Sequence, residues 1–320
     1  MQDSDVTGKG QPSWMVLFAG QGTAQVGMGA ELVDRSAVTK QVVECASDVS
    51  GYDIRKLCLK GPMTRLTQTR YQQIAVTALN VASLVAIRES QPFSLSASAG
   101  HSAGEYSALW LAEVLTLEDL FKAITCRAEI MQRLATKHEG AMYHIQGLTS
   151  RELEQLISEN AFTGQITQSC DNASDRKVIA GNTQVMKKFV HILMSRGVSP
   201  TKLGVNGAWH CELMAEGIDE LRMVLGSLTF HSPAIPVYMN RTAKPAFSPA
   251  EIINNLAYHL TEPVLWRESM LNCQQDGHQY FLEISAKKYL LSLLDETPFP
   301  AKGYHCREIM AASGKELNLS

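Results

Sequence analysis

The sequence predicts an α/β protein in which a small ferredoxin-like domain interrupts a larger domain built on a parallel sheet. The chain has 320 residues, which at roughly 150 residues per domain predicts two domains. An unbroken apolar segment, 14–18, is typical of a buried strand of a parallel sheet, and it runs into a glycine turn. Between residues 140 and 205 the pattern instead predicts the order βαββαβ, which defines the ferredoxin-like motif.

The large domain is predicted to begin with the strand 14–18, followed by a helix. A second helix, 74–87, is apolar on nearly all faces, which indicates that it is buried. In 93–99 apolar residues alternate with serines, as they do in a short strand. Two more helices are predicted after it, 105–115 and 117–134, the second with a capping signature at Thr116.

The small domain is predicted to consist of short strands and helices. The predicted order is strand 141–145, a helix capped at Thr149, strands 165–169 and 177–180, helix 183–196 and strand 201–205. The chain then returns to the large domain at Gly207-Ala208-Trp209-His210, followed by an amphipathic helix, 213–225. The expected boundaries are therefore 14–139 and 206–294 for the large domain, 140–205 for the small one, 1–13 for a disordered leader and 295–320 for a C-terminal tail.

Composition excludes several classes of protein. The net charge of −3 argues against nucleic acid as a partner, because nucleic-acid binding calls for a basic surface. The longest charge-free run, 71–87, is too short and too polar to span a bilayer, and the N-terminus lacks the apolar segment of a signal peptide. The cysteines and histidines show no metal-ligand spacing, so no metal site is expected. We therefore expect a soluble cytoplasmic protein without membrane contact.

The sharpest local signal is Gly100-x-Ser102-x-Gly104, between a predicted strand and a predicted helix. A serine in this pattern lies on a tight turn at the end of the sheet, as in α/β-hydrolase-like domains. The N-terminus of the next helix stabilises negative charge that develops there. The pattern alone also fits a surface turn, but the strand-turn-helix context favours a nucleophile at Ser102.

A serine nucleophile needs a base and an oxyanion hole. His210 is the better candidate base, since it lies where the chain re-enters the large domain, whereas the side chain of His101 should point away from Ser102. The backbone N–H of Ala103 is one expected oxyanion donor. The turn at Gln21, which ends the first strand at the same edge of the sheet, is expected to supply the other.

Six motifs, taken together and in order, resemble the malonyl-CoA:acyl-carrier-protein transacylase family. The resemblance covers roughly residues 14–294 without interruption. The matching segments are Phe18-Ala19-Gly20-Gln21-Gly22 with Val26-Gly27-Met28, Gly100-His101-Ser102-Ala103-Gly104-Glu105-Tyr106-Ser107-Ala108-Leu109, Cys126-Arg127-Ala128-Glu129-Ile130-Met131-Gln132, Gly140-Ala141-Met142, Gly207-Ala208-Trp209-His210 and Pro263-Val264-Leu265-Trp266.

The resemblance implies a ping-pong mechanism without a cofactor, in which a coenzyme A thioester is the substrate. Ser102, activated by His210, would accept a malonyl group and pass it to the phosphopantetheine thiol of an acyl carrier protein. Arg127 would hold the free carboxylate of malonate by a bidentate pair. The main-chain carbonyl of His259 would orient His210. The resemblance further implies substrate-binding roles for Gln73, Asn172, Trp209 and His101.

The sequence departs from the family pattern at several positions. Trp209 stands where phenylalanine is usual, which favours malonyl over methylmalonyl and leaves a hydroxymalonyl or aminomalonyl unit open. His259 stands where glutamine is usual, and Ser285-Ala286-Lys287 replaces a Gly-Pro-Gly turn. Arg176 adds a positive charge near the expected cleft. These departures favour a specialised polyketide pathway, although fatty-acid synthesis remains open.

Other functions remain as alternatives. An acyl hydrolase of the same fold would lack the arginine, and a catalytically inactive scaffold would have no need of a nucleophile. A plain esterase would need an Asp or Glu between Ser102 and His210 as a third member, but Asp171 and Asp175 fall in the small domain. We expect a stand-alone, monomeric enzyme that acts on carrier proteins in trans.

Overall fold

Two β-sheets of different kind organise the chain. The computed structural model describes residues 12–22, 24–294 and 297–312. Its strands are β1 Ser13–Phe18, β2 Ser94–Gly100, β3 Gly140–Gln146, β4 Ile166–Asp171, β5 Arg176–Asn182, β6 Thr201–Lys202, β7 Val237–Tyr238, β8 Pro245–Ala246, β9 Tyr280–Ile284 and β10 Lys302–His305. Residues 1–11 of the expected leader, and 295–296 and 313–320 of the expected tail, lie outside the described residues.

Helices connect and cover these strands. The α-helices are α1 Ala37–Ser50, α2 Ile54–Lys60, α3 Met63–Leu66, α4 Thr69–Ser90, α5 Gly104–Leu111, α6 Leu117–Lys137, α7 Ser150–Glu159, α8 Thr183–Ser195, α9 Ile218–Ser227, α10 Pro249–Tyr258, α11 Trp266–Gln275, α12 Leu290–Leu294 and α13 Cys306–Ala311, and a 3₁₀ helix spans Glu212–Gly217. Helix α4 is buried along most of its length. None of the helices in the described part of the chain is long and apolar enough to cross a membrane.

The large sheet has the order β10-β9-β1-β2-β7-β8, and all its neighbours are parallel except β7 and β8. The register pairs Phe18 at the end of β1 with Gly100 at the end of β2. The carboxyl ends of parallel strands meet at one edge of a sheet, where ligands usually bind. The turn after β1 and the turn after β2 therefore lie side by side.

The small sheet is antiparallel and has the order β4-β5-β3-β6, the arrangement of a ferredoxin-like domain. Helices α7 and α8 cover it and enclose a separate apolar core that includes Ile145, Leu153, Ile179 and Phe189. Thr149 begins α7 with a reciprocal capping box, as its sequence indicates. The predicted fold class, a large parallel-sheet domain plus a small ferredoxin-like one, is confirmed.

Two main-chain hydrogen bonds join the β4 edge of the small domain to the large domain along a line that we call the seam. Val264, in the large domain, forms a parallel bridge with Cys170 of β4. Its N–H donates to the carbonyl oxygen of Ser169 at 2.9 Å, and its carbonyl oxygen accepts from the N–H of Asp171 at 2.9 Å. The small sheet is thus fixed by its β4 edge to the segment that precedes α11.

The large domain extends further than the sequence indicated. We expected a tail from residue 295, but β10 adds a parallel strand beside β9, and α13 packs behind it with Cys306 and Ile309 buried. The polar residues around β10 concealed a strand that needs only a few side chains in the core, because it lies at the sheet edge. The amphipathic segment 213–225 also differs from expectation, since it divides into the 3₁₀ helix and α9.

Candidate active site

Ser102 lies on a strained turn between β2 and α5. Its φ angle is 52°, a left-handed value that non-glycine residues rarely adopt. A Cβ atom on Gly100 would come within 2.0 Å of the main chain of Gly104, and one on Gly104 within 2.2 Å of the carbonyl oxygen of Phe18. Only glycine fits at both positions, so the spacing of the motif is a steric requirement of the turn.

Ser102 and His210 are within hydrogen-bonding distance. The Oγ atom of Ser102 lies 2.9 Å from Nε2 of His210, and Nδ1 of His210 lies 2.7 Å from the carbonyl oxygen of His259. A carbonyl only accepts, so Nδ1 carries the proton and Nε2 is free to accept the proton of the serine. The pair has the geometry of a nucleophile and its base, oriented by a main-chain carbonyl.

Arg127 reaches the same serine from α6. Its Nη2 donates to Oγ of Ser102 at 3.2 Å, and its Nη1 donates to Oε1 of Gln73 at 2.6 Å. The side chain is 1% exposed, and it forms no ion pair with a carboxylate anywhere in residues 12–22, 24–294 and 297–312. A buried guanidinium remains charged and strongly favours an anionic partner. The site therefore holds a positive charge beside the nucleophile that has no direct carboxylate partner among the described residues.

The turn after β1 contacts the nucleophile turn directly. A Cβ atom on Gly20 would lie 2.3 Å from the carbonyl oxygen of His101 and 3.2 Å from the main-chain nitrogen of Ala103. The side chain of Gln21 accepts from Gln73 at 3.2 Å and donates to Thr69 at 3.0 Å. The two expected oxyanion donors, Gln21 and Ala103, therefore belong to adjoining turns, and their role remains a prediction.

The other predicted substrate-binding residues, His101, Asn172 and Trp209, make different contacts. Nε2 of His101 pairs with Oδ1 of Asn172 at 2.8 Å, so this histidine contacts the small domain and not the serine hydroxyl. Asn172 also donates to the hydroxyl of Tyr289 at 3.3 Å. Trp209 is buried with its ring edge against Gly207, and its indole N–H has no partner among the described residues.

Sequence reasoning overlooked two residues of the site, Asn240 and Glu105. Oδ1 of Asn240 accepts from the N–H of Ser102 at 2.8 Å, and Oε1 of Glu105 accepts from the N–H of Asn240 at 2.6 Å. Asn240 follows β7, a strand of only two residues, and no motif marks it. Glu105 stands within the nucleophile motif, but no role was inferred for it.

Burial lowers the pKa of His210 well below its ordinary value of 6.5. The neighbouring His259 lowers it further, as do the positive charge of Arg127 and, more weakly, His101, while the hydrogen bond to the His259 carbonyl opposes the shift. A base must be unprotonated to act. His210 is therefore neutral at pH values at which an exposed histidine is already charged.

This shift predicts how acylation depends on pH. The second-order rate constant for acylation of Ser102 is expected to stay constant as pH falls from 8 through 6.5, and to decline only at lower pH, where His210 becomes protonated. Rapid-quench mass spectrometry of the acyl-enzyme, across pH 5–8 and on enzyme whose circular dichroism is unchanged, measures it. A half-maximal rate at pH 6.5 would contradict the prediction, since it would indicate a histidine in contact with water.

Comparisons with known proteins agree with this geometry. The family model for the acyl transferase domain matches residues 15–310. A malonyl CoA-acyl carrier protein transacylase from Haemophilus influenzae is 31% identical over 281 residues, covering 87% of this chain and 90% of that protein. A polyketide biosynthesis malonyl CoA-acyl carrier protein transacylase from Bacillus subtilis is 28% identical, covering 87% and 94%.

Solved structures show the same relationship. The malonyl CoA-acyl carrier protein transacylase from Coxiella burnetii superimposes with a TM-score of 0.89 at 27% identity, over 95% of this chain and 98% of that one. A malonyl-transacylase in complex with its type II PKS acyl-carrier protein gives 0.88 at 30% identity, over 94% and 98%. The resemblance inferred from the motifs is confirmed: this chain is an acyltransferase and belongs to the malonyl CoA-acyl carrier protein transacylase family.

Proposed function

We propose that the protein transfers a malonyl-type unit from coenzyme A to the phosphopantetheine thiol of an acyl carrier protein, through an ester on Ser102. One observation carries the proposal. The hydroxyl of Ser102 lies between Nε2 of His210, at 2.9 Å, and Nη2 of Arg127, at 3.2 Å. A base and a carboxylate-binding cation on the same nucleophile suit an acyl group that carries its own negative charge.

In the first half-reaction Oγ of Ser102 attacks the thioester carbonyl carbon while its proton passes to Nε2 of His210. The main-chain N–H groups of Ala103 and Gln21 are proposed to stabilise the oxyanion. The carbon–sulfur bond then breaks, and the departing coenzyme A sulfur takes the proton from His210. Ser102 is left as a malonyl ester.

The second half-reaction repeats these steps with a different thiol. The phosphopantetheine thiol gives its proton to His210 and attacks the ester carbonyl, and the bond to Oγ breaks. His210 returns the proton to Oγ, so that the free enzyme is regenerated. No resident cofactor is needed, because the thioester supplies the activated acyl group.

Arg127 is proposed to bind the free carboxylate of the malonyl group in a bidentate pair. The absence of an ion pair on this buried side chain among the described residues supports the assignment. Gln73 already accepts from Nη1, so it sets the orientation of the guanidinium plane. An uncharged acyl chain offers no partner for the charge, so a dicarboxylic unit is the proposed substrate.

The acceptor is proposed to be a carrier protein of a polyketide synthase, reached in trans. Two related proteins with polyketide-linked names support it: the Bacillus subtilis transacylase, and the malonyl-transacylase found in complex with a type II PKS acyl-carrier protein. The unusual Trp209 and His259 support the same choice.

Mass spectrometry of the protein mixed with malonyl-CoA and a holo carrier protein tests the proposal. The holo carrier is expected to gain one malonyl group, whereas the same carrier without phosphopantetheine stays unmodified, because it lacks the accepting thiol. Malonate that accumulates while the carrier remains unloaded would instead identify an acyl hydrolase.

A further inference from the structure

Asn240 joins the two sides of the nucleophile turn with one side chain. Its Oδ1 accepts from the N–H of Ser102 at 2.8 Å, and its Nδ2 donates to the carbonyl oxygen of Gly100 at 2.6 Å. The side chain is 2% exposed, so water does not compete for these bonds. The main chain on both sides of His101 is therefore fixed to a residue that is distant in sequence.

Glu105 connects Asn240 back to the first turn of α5. Its Oε1 accepts from the main-chain N–H of Asn240 at 2.6 Å. Its Oε2 lies 3.2 Å from Nδ1 of His259. The side chain is 1% exposed, so both oxygens face protein groups only.

His259 connects this carboxyl group to the other half of the catalytic pair. Its carbonyl oxygen holds Nδ1 of His210, and its ring stacks on the ring of His210 with a centroid distance of 4.3 Å. One buried carboxyl group thus contacts both the residue that clamps Ser102 and the residue that orients His210. We refer to Glu105 and Asn240 as the bracket.

The bracket opposes backbone strain at the serine end of the catalytic pair. Ser102 has a φ angle of 52° and His210 one of 56°, and neither is glycine. Such backbone conformations persist only where surrounding contacts over-determine them. The bonds of Asn240 to Gly100 and Ser102 supply such contacts at the serine turn.

Burial disfavours the charged form of the Glu105 carboxyl group. Burial raises the pKa of Glu105 to about 7, while the hydrogen bonds from Asn240 and the charges of Arg127 and His101 oppose the shift. A carboxyl group that is largely uncharged below this pH resembles an amide in shape and hydrogen bonding. Glutamine is therefore the conservative replacement for Glu105.

We propose that Glu105 and Asn240 are positioning residues for acyl transfer, which hold Oγ of Ser102 at hydrogen-bond distance from Nε2 of His210. The proposal rests on the proposed function, in which Ser102 is the nucleophile and His210 its base. Neither residue touches the reacting atoms. Asn240 acts through the main chain of the serine turn, and Glu105 acts through the main-chain N–H of Asn240 and the ring of His259.

The test measures the reactivity of Ser102 with a fluorophosphonate probe, which labels an activated serine whatever the natural acyl group. Asn240→Ala and the same-shape variant Asn240→Asp are each expected to slow labelling about 100-fold, the cost of a misplacement near 1 Å. Glu105→Ala is expected to slow it as well, and Glu105→Gln to restore a rate close to that of the wild type. Thermal melting confirms that each variant is folded.

Asn160→Ala is the control. Like Asn240, Asn160 donates from its side-chain amide to a main-chain carbonyl, that of Leu156 at 2.8 Å. Asn160 is half-buried and lies in the small domain. The variant is expected to label at the wild-type rate. Wild-type labelling rates in both Asn240 variants, or an equal loss in Asn160→Ala, would overturn the proposal. Should Asn240→Ala fail to fold, Asn240→Asp and the Glu105 pair carry the test.

The same experiment separates the bracket from the proposed function. Wild-type protein that reacts with the fluorophosphonate but forms no ester with malonyl-CoA would refute the proposed substrate. The labelling rates of the Asn240 and Glu105 variants would still test the bracket. Labelling that survives in Ser102→Ala would refute the nucleophile itself, and the bracket with it.

Discussion

Replacing Ser102 by alanine is expected to abolish the acyl-enzyme formed from malonyl-CoA. The variant lacks Oγ, the atom that lies 2.9 Å from Nε2 of His210 and is proposed to form the ester, so we expect no covalent intermediate. In other serine enzymes the loss of the nucleophile lowers kcat on the order of 10⁶-fold. Intact-protein mass spectrometry after mixing with malonyl-CoA measures the result directly.

Folding should survive this change. Alanine keeps the main chain of the turn. The hydrogen bond to Oδ1 of Asn240 comes from the main-chain N–H of residue 102 and not from its side chain, so it is retained. Ser107→Ala is the matched control, because Ser107 is a buried serine on the next helix whose Oγ lies 3.4 Å from Nδ2 of Asn80. Acylation that persists in Ser102→Ala and disappears in Ser107→Ala would show that the nucleophile is wrongly assigned.

Replacing Arg127 by alanine is expected to reverse the preference for the acyl group. The buried guanidinium is the proposed partner of the malonyl carboxylate, and truncating one member of a buried charge pair costs several kcal/mol. We expect kcat/KM for malonyl-CoA to fall on the order of 10²- to 10³-fold, or about 3 to 4 kcal/mol. Acetyl-CoA should become a comparable or better donor, because its methyl group no longer faces an unpaired charge.

A panel of acyl-CoA donors, assayed by carrier loading, measures this change in selectivity. Arg127→Lys should be intermediate, since lysine keeps the charge but cannot form the bidentate pair. Arg133→Ala is the control on the same helix, because Arg133 pairs with Glu220 and both side chains are largely exposed. Unchanged selectivity in Arg127→Ala would remove the main argument for a dicarboxylic substrate.

Much of the site could be predicted because its residues stand in short patterns that local sterics impose. The glycines on either side of Ser102 are required by contacts of 2.0 to 2.2 Å, so the motif is visible in the sequence. The order of strands and helices in the small domain followed from alternation and capping residues such as Thr149. His210 became a convincing base only through the family resemblance, since no local pattern places it next to a residue 108 positions away.

The missed features have physical reasons as well. Asn240 acts through a side-chain amide that follows a two-residue strand, and neither periodicity nor composition marks such a position. The helix predicted to follow the first strand begins only at Ala37, and the left-handed glycines Gly27 and Gly29 lie in the turns before it. Strand β10 was overlooked because an edge strand buries too few side chains to produce an apolar run.

The main-chain seam between Val264 and β4 has a consequence for how the enzyme exchanges its two substrates. Asn172, which pairs with His101, comes directly after the seam residue Asp171. Any movement that pulled the small domain away there would break both seam hydrogen bonds before it widened the space over Ser102. We therefore expect the small domain to stay joined to the large domain along the seam. Any widening of the space over Ser102 is then expected to begin on the side away from the seam.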